Sequence, residues 1–310
     1  MSYVTGTCNS FADIKNNLIS ECVNAGWTHT TDSGGYDVIY KGSLYLRIIV
    51  YAGKVTFRAQ TDIAGTSAHP YFVAISNFTK DYAGIGYVTF PGTYHFFSFT
   101  NPDEVYFIYN YEDKYQFVAF GQSNMASLLP GTGMWVTATD GYGNTGQQDF
   151  QNYPQNISLG YPYDDDTTAS PFWSDRYSVY SNIKAHPCNT WLHSNIDTNY
   201  PWSMGKTDFD ASTDGTGVVG VRYLETVTTQ PWLNRSLLIP FKLYKRSSVY
   251  NYKAHLTAEI QYSRYYDIRY IEPEDVISNG TEQWKVFPFF RKGNGGNDDT
   301  GYRGWAIRIA

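Results

Sequence analysis

The sequence predicts a mainly β protein with a small α component (α+β): antiparallel, β-sandwich-like sheets, one N-terminal amphipathic helix and a long irregular central excursion. Three observations carry this. Aromatic residues make up 18% of the chain, with 29 Tyr, 18 Phe and 8 Trp, against 17% charged residues. Such residues favour pleated, half-buried surfaces, and each buries roughly 150–250 Å². Apolar residues alternate with period two in both end regions, while helical spacing occurs once. Between Gln122 and Gly217 both periodicities give way to Gly, Asn, Asp, Thr, Pro and Tyr.

The helix comes first. Ser10 is an N-cap with Asp13 three residues on, a short-armed variant of the capping box. Phe11, Ile14, Leu18 and Cys22 recur at helical spacing, and Gly26 supplies the stop. An amphipathic helix of this kind is expected to lie on a sheet. In Leu44–Tyr51 one face carries Leu44, Leu46, Ile48 and Val50. Val55, Phe57 and Ala59 repeat the alternation after an Ala52-Gly53 turn. Tyr94–Thr100, Val105–Tyr111 and Gln116–Gly121 form a meander, with a type I turn expected at Asn101–Glu104. Val105–Tyr111 is apolar or aromatic on both faces, so one face is expected to meet more protein. The tail offers strands at Val218–Leu224, Leu237–Tyr244, Tyr252–Ile260, Gln283–Phe290 and Trp305–Ile309. Pro240 inside one of them marks an edge or a bulge.

The chain therefore divides into three parts. Residues 1–121 hold the helix and an antiparallel sheet, and 122–217 are a loop-rich interface excursion. Residues 218–310 are a C-terminal β region, which can pack with the first part as one domain. A structureless stretch as long as the middle one is functional or ordered by a partner, and its aromatics argue against simple disorder.

Charge and cysteine narrow the function. The net charge is −6 with no run of Lys or Arg, so no direct nucleic-acid binding is expected. No apolar run reaches the ~18–20 residues of a spanning helix, so no membrane association is expected, and no secretory signal opens the chain. Cys8, Cys22 and Cys188 are scattered and odd in number, which suggests reduced thiols acting as small apolar side chains.

Chemical candidates are few. Asp164, Asp165 and Asp166, with Asp175 nearby, could gather Ca²⁺, but three adjacent acids point in different directions and read better as a solvated loop. Asp208, Asp210, Ser212 and Asp214 resemble half of a Ca²⁺ loop without its closing glutamate. His186-Pro187-Cys188 with His193 suggests a thiol and a base, yet such partners normally meet through the fold. His69, His95 and His255 read as hydrogen-bonded strand residues. Glu104 and Glu112 flank opposite ends of one strand, too far apart for a retaining glycosidase pair. No catalytic motif is present. No catalytic residue, cofactor or metal is therefore assigned. Tyr161, Tyr163, Phe172, Trp173, Tyr177, Tyr180, Trp191 and Trp202 stand among the loops. Stacking on sugar and packing on protein share this signature, and the protein interface is favoured because aromatics anchor such contacts.

Three segments are similar to a known class of protein. They are the Ser10-Phe11-Ala12-Asp13 helix ending in Asn24-Ala25-Gly26-Trp27, the stretch Tyr94–Gly121, and Gln283–Ile309. Together they resemble virion structural proteins of tailed bacteriophages, of the kind placed in the tail, baseplate or neck. The resemblance spans both ends and skips the middle. It implies a non-enzymatic subunit, present in several copies, that joins other virion proteins and copies of itself. The implied location is the virion, in or near the tail, after synthesis in the host cytoplasm. A neck or head-decoration protein, or a carbohydrate- or receptor-binding tail protein, are the alternative readings. A host glycan ranks below protein as a partner.

Overall fold

The computed structural model describes residues 1–51, 53–66, 72–77, 88–125, 131–142, 191–193, 202–205, 215–217, 229–230, 235–246, 254–293 and 302–310. These residues are mostly strand, with one helix among them. Strand β1 (Ser2–Cys8) precedes α1 (Phe11–Asn24), then come β2 (Thr28–Thr31), β3 (Asp37–Lys41), β4 (Leu44–Tyr51), β5 (Lys54–Gln60) and β6 (Phe72–Ser76). The meander is β7 (Gly92–Phe99), β8 (Glu104–Tyr111) and β9 (Lys114–Gln122). Short strands follow: β10 (Asn124–Met125), β11 (Met134–Ala138), β12 (Asp140–Tyr142), β13 (Trp191–His193), β14 (Trp202–Gly205), β15 (Gly215–Gly217), β16 (Thr229–Gln230) and β17 (Arg235–Ser236). The tail holds β18 (Ile239–Arg246), β19 (Ala254–Asp267), β20 (Val276–Asn279), β21 (Glu282–Pro288) and β22 (Arg303–Arg308).

Helix α1 forms for the reasons its sequence suggests. The Asp13 N–H donates to Ser10 Oγ, and the Asp13 carboxylate reaches back to the Asn9 N–H at 2.8 Å, one residue earlier than in the standard box. At the other end the Trp27 N–H bonds Cys22 O and the Gly26 N–H bonds Val23 O, while Gly26 adopts φ 86°. This double closure needs a left-handed residue, which glycine supplies without strain. Ile14, Leu18, Ile19 and Cys22 form the buried stripe.

The larger sheet runs β1-β7-β8-β9-β11-β13-β14-β15-β18-β19-β22-β21-β20, with β10 attached to β19. A second sheet runs β12-β6-β5-β4-β3-β2, and β16 pairs with β17. Among the described residues pairing is antiparallel except for the short β14–β15 contact. The large sheet folds back so that β18, β19, β21 and β22 cover one face of the meander: Phe97, Tyr106, Ile108, Phe117 and Trp135 share a core with Tyr265, Phe287 and Trp305. The opposite face of the same strands (Phe96, Phe107, Val118, Phe120 and Val136) packs on α1 and on Leu46, Ile48 and Phe57 of the second sheet. Strand β8 is thus buried on both sides, as its two-sided apolar pattern requires. Strands from 1–121 and from 218–310 belong to one sheet.

Side chains stitch the layers. Gln116 on β9 accepts from the Ser76 N–H and donates to Ser76 O, both at 2.9 Å, so its amide stands in for a strand neighbour of β6. The ladder between β18 and β19 slips between Pro240 and Lys242, the bulge its proline demands. Gly304 on β22 sits so close to β21 that an added Cβ would lie 2.5 Å from Phe287 O and from Ile268 Cγ2. Gly304→Ala is expected to destabilise by about 1–3 kcal/mol, read as a lowered melting temperature. An unchanged melt would mean the two strands are not this close.

Most of the central stretch lies outside the described residues. Within 122–217, β11 is an inner strand whose five residues are all buried, and β13, β14 and β15 extend the same sheet. Met134-Trp135-Val136-Thr137-Ala138 is short and buried on both faces, with Thr137 its one polar side chain, and the glycines around it hid it. The strand expected at Val218–Leu224 lies outside the described residues.

Candidate functional site

Most of the interface aromatics lie outside the described residues: Tyr161, Tyr163, Phe172, Trp173, Tyr177 and Tyr180. So do Asp164–Asp166, Asp175, Asp208–Asp214 and His186–Cys188. Trp191 and Trp202 are placed, on β13 and β14 of one ladder, with Trp202 opposite His193. Their backbones stand in a sheet, where loops were expected. His193 is buried, and its Nδ1 accepts from the Thr132 N–H at 3.0 Å. This fills the position from which a base would act. Cys8 and Cys22 are buried free thiols. Burial pushes the Cys8 thiol up to about 11, despite the Asn17 amide beside it. It pushes Cys22 up as well. Neither thiol is activated.

Two polar centres emerge that periodicity did not point to. In the first, Glu104 opens β8 and is completely buried. Its Oε1 accepts from the Gln261 N–H at 2.8 Å, and its Oε2 from the Tyr262 N–H at 3.1 Å and the Tyr106 hydroxyl at 2.5 Å. Tyr106 also reaches Ser263 Oγ at 3.2 Å. The neighbouring carbonyls of Ile260, Gln261 and Ser263 take Arg264 Nη1 at 2.8–3.1 Å. The reason is local. Here the ladder of β19 with β10 ends at Glu259, that with β22 begins at Ser263, and the ladder with β18 skips from Glu259 to Arg264, so backbone groups in the gap need partners. The Glu104 carboxyl oxygens accept from the amides, and the Arg264 guanidinium donates to the carbonyls. Tyr262 then stacks on Phe99 at 4.2 Å, and its hydroxyl bonds Thr100 O and Asn101 O. Burial raises the Glu104 carboxyl to about 7, against the lowering effect of these hydrogen bonds and Arg264.

The second centre joins Tyr3, His95, Tyr115, Glu274 and Lys285. The Tyr3 hydroxyl lies 3.0 Å from His95 Nδ1. His95 Nε2 stands 3.3 Å from Glu274 Oε1, near enough for charge attraction but not aligned as a hydrogen bond. The Tyr115 hydroxyl donates to the same oxygen at 3.2 Å. Lys285 donates to Glu274 O at 2.8 Å. Contact with His95, followed by the charges of His95 and Lys285 and the Tyr115 bond, holds the Glu274 carboxyl below its usual range despite partial burial. The connectivity is that of a hydroxyl–imidazole–carboxylate relay. Its chemistry runs the other way, because burial and then Glu274 push the Tyr3 phenol up. A phenol made less acidic is a poor nucleophile, and His95 is sealed between Tyr3 and Phe287. The cluster pins the turn before β20 onto β1, β7 and β9.

Both centres use ionisable groups to hold strands together. Among the described residues no group of three or more His, Cys, Asp or Glu is placed to hold a metal ion, and no helix is long and apolar enough to cross a membrane. Glu104 and Glu112 sit at opposite ends of β8, the first buried and the second exposed. The fold and its polar centres define a mainly β, sheet-packed protein. No protein-family model matches the chain, and no curated protein matches it either.

Proposed function

We propose that this chain is a non-enzymatic structural subunit of a tailed-bacteriophage virion, joining neighbouring subunits in the tail or baseplate. The similarity of its helix, its meander and its last strands to such proteins supports the reading. The structural observation that carries it is how the sheets end. Strands β1, β20 and β2 each pair on one side only among the described residues, and each is largely exposed. Open edges are sites where another chain can add a strand. The two most conspicuous ionisable centres are spent on holding strands together, which is consistent with an assembly part.

The test is to purify particles produced from the genome that encodes this chain and quantify it by mass spectrometry. Several stoichiometric copies per particle are expected, with density for the fold in the tail. A chain absent from purified particles would overturn the proposal. A chain present but located at the neck would move it to the alternative position.

A further inference from the structure

The free edge of β1 can be resolved group by group. Glu112 and Asp113, with Glu112 at φ 54°, form a two-residue turn that closes the pair Tyr111–Lys114. In such a hairpin the closing pair exchanges both hydrogen bonds, and bonding alternates from there. Val105, Phe107, Tyr109 and Tyr111 therefore bond to β9, and Glu104, Tyr106, Ile108 and Asn110 bond to β7. By the registers of β8 with β7 and β7 with β1, Tyr94, Phe96 and Ser98 bond to β1 through Gly6, Val4 and Ser2. This leaves the N–H and C=O groups of Tyr3, Thr5 and Thr7 pointing away from the sheet. An independent contact agrees: the Asn17 amide on α1 donates to Thr7 O at 3.1 Å, reaching it from the edge side.

Tyr3 and Thr5 thus offer two N–H and two C=O groups, while the Thr7 carbonyl is already held. The edge is also unguarded. Ser2-Tyr3-Val4-Thr5-Gly6-Thr7-Cys8 has no charge and no proline, the devices that normally blunt an edge. The other exposed edges are shorter and flanked by acids: β2 runs into Asp32, and β20 lies between Asp275 and Glu282.

We propose that β1 is a self-association surface, on which two copies of this chain join their Ser2–Cys8 edges antiparallel about a two-fold axis through Val4. The register follows from the free groups. It sets Tyr3 against Thr5 of the second copy and Thr5 against Tyr3, which gives four backbone hydrogen bonds. Val4 faces Val4 in the close, non-bonded pair, and Ser2 faces Gly6. An axis at Thr5 would instead need the carbonyl that Asn17 holds. A second copy suits the edge because the neutral segment is self-complementary. No like charges meet across the axis, although each chain carries a net −6. A two-fold contact also consumes both edges and closes. Tyr3 at 37% and Met1 at 58% exposure add apolar surface beside it. The inference rests on strand geometry alone. A dimer in solution leaves the particle location open, and absence from particles leaves the dimer intact.

Sedimentation velocity of the full chain over a concentration series tests it, and a monomer–dimer equilibrium is expected. Thr5→Pro removes an edge N–H and no bond to β7, so it is expected to weaken dimerisation about tenfold or more by deleting two symmetric bonds. Thr5→Lys adds a guarding charge at an exposed position and is expected to do the same, with the melting temperature unchanged at concentrations where the wild type is monomeric. It decides the matter if the proline variant does not fold. Val4→Cys is expected to cross-link under oxidation above the wild-type background. A monomer at every concentration, or a dimer equally strong in Thr5→Pro and Thr5→Lys, overturns the proposal. So does a Val4→Cys chain that dimerises without cross-linking.

Discussion

Trp305→Ala is expected to lower the unfolding free energy by about 3–5 kcal/mol, one of the largest losses any single truncation in this chain would cause. Trp305 lies on β22 and is completely buried. Its ring meets Phe117 of β9 at 4.9 Å and Tyr106 of β8 at 5.7 Å, so it spans the layer between the returning arm of the large sheet and the meander. Its backbone is paired with Tyr265 on one side and Phe287 on the other. Those ladders limit how far the walls can move into the space an alanine would leave, and a cavity that cannot collapse is the costly kind. Denaturant unfolding would give the loss as a shifted midpoint at unchanged slope. Trp305→Phe keeps a ring in the layer and should lose less than half as much. A loss below about 1 kcal/mol for the alanine variant would mean that the arm does not pack on the meander.

That layer shows how much of the fold could be read from residues alone. Helix α1 was legible from Ser10, its apolar spacing and Gly26, because those signals are local. The strands of the meander were legible from alternation, and the two-sided apolar pattern of Val105–Tyr111 signalled that one face meets more protein; the structure buries both. What covers them was not legible: the second face meets Tyr265, Phe287 and Trp305, more than 150 positions away, and period-two patterns do not name their partner. Strand β11 was missed because four apolar residues, Met134, Trp135, Val136 and Ala138, broken by Thr137, are too short a run to outweigh polar, glycine-rich surroundings. The polar centres were harder still. In the sequence Glu104 reads only as half of a carboxylate pair, yet one signal stands next to it. An acid opening a strand that is apolar on both faces has nowhere to go but inward, and must then find donors. Tyr3, His95 and Glu274 had no such local signal, since their meeting is set by the fold-back of the large sheet.

Glu104 carries the second large effect, and it is expected to depend on pH. Glu104→Ala removes the acceptor for the Gln261 and Tyr262 amides and for the Tyr106 hydroxyl. Each orphaned buried donor costs about 1–3 kcal/mol, with Tyr106 partly relieved by Ser263. A total of roughly 3–5 kcal/mol is therefore expected. Glu104→Gln keeps one acceptor oxygen and turns an NH₂ toward the donors at the other, so it should cost less. Its value lies in the titration. The buried carboxyl sits at about 7, above the ordinary 4.5, so the folded protein holds this proton more tightly than the unfolded chain does. Stability from this group is complete below the unfolded value. It falls as pH rises through the window between the two, then levels off above 7. The drop is on the order of 3 kcal/mol at about 1.4 kcal/mol per unit. Glutamine does not titrate, so the advantage of the wild type over Glu104→Gln should shrink across that window. Acids held below their usual range, such as Asp37 and Glu274, change stability in the opposite sense and at lower pH. Because both proteins share them, they cancel in the difference. Parallel denaturant curves at intervals across the window measure it directly. A wild-type advantage that stays constant or grows with pH would show that Glu104 is an ordinary carboxylate, bound as an anion by the β19 amides and Arg264.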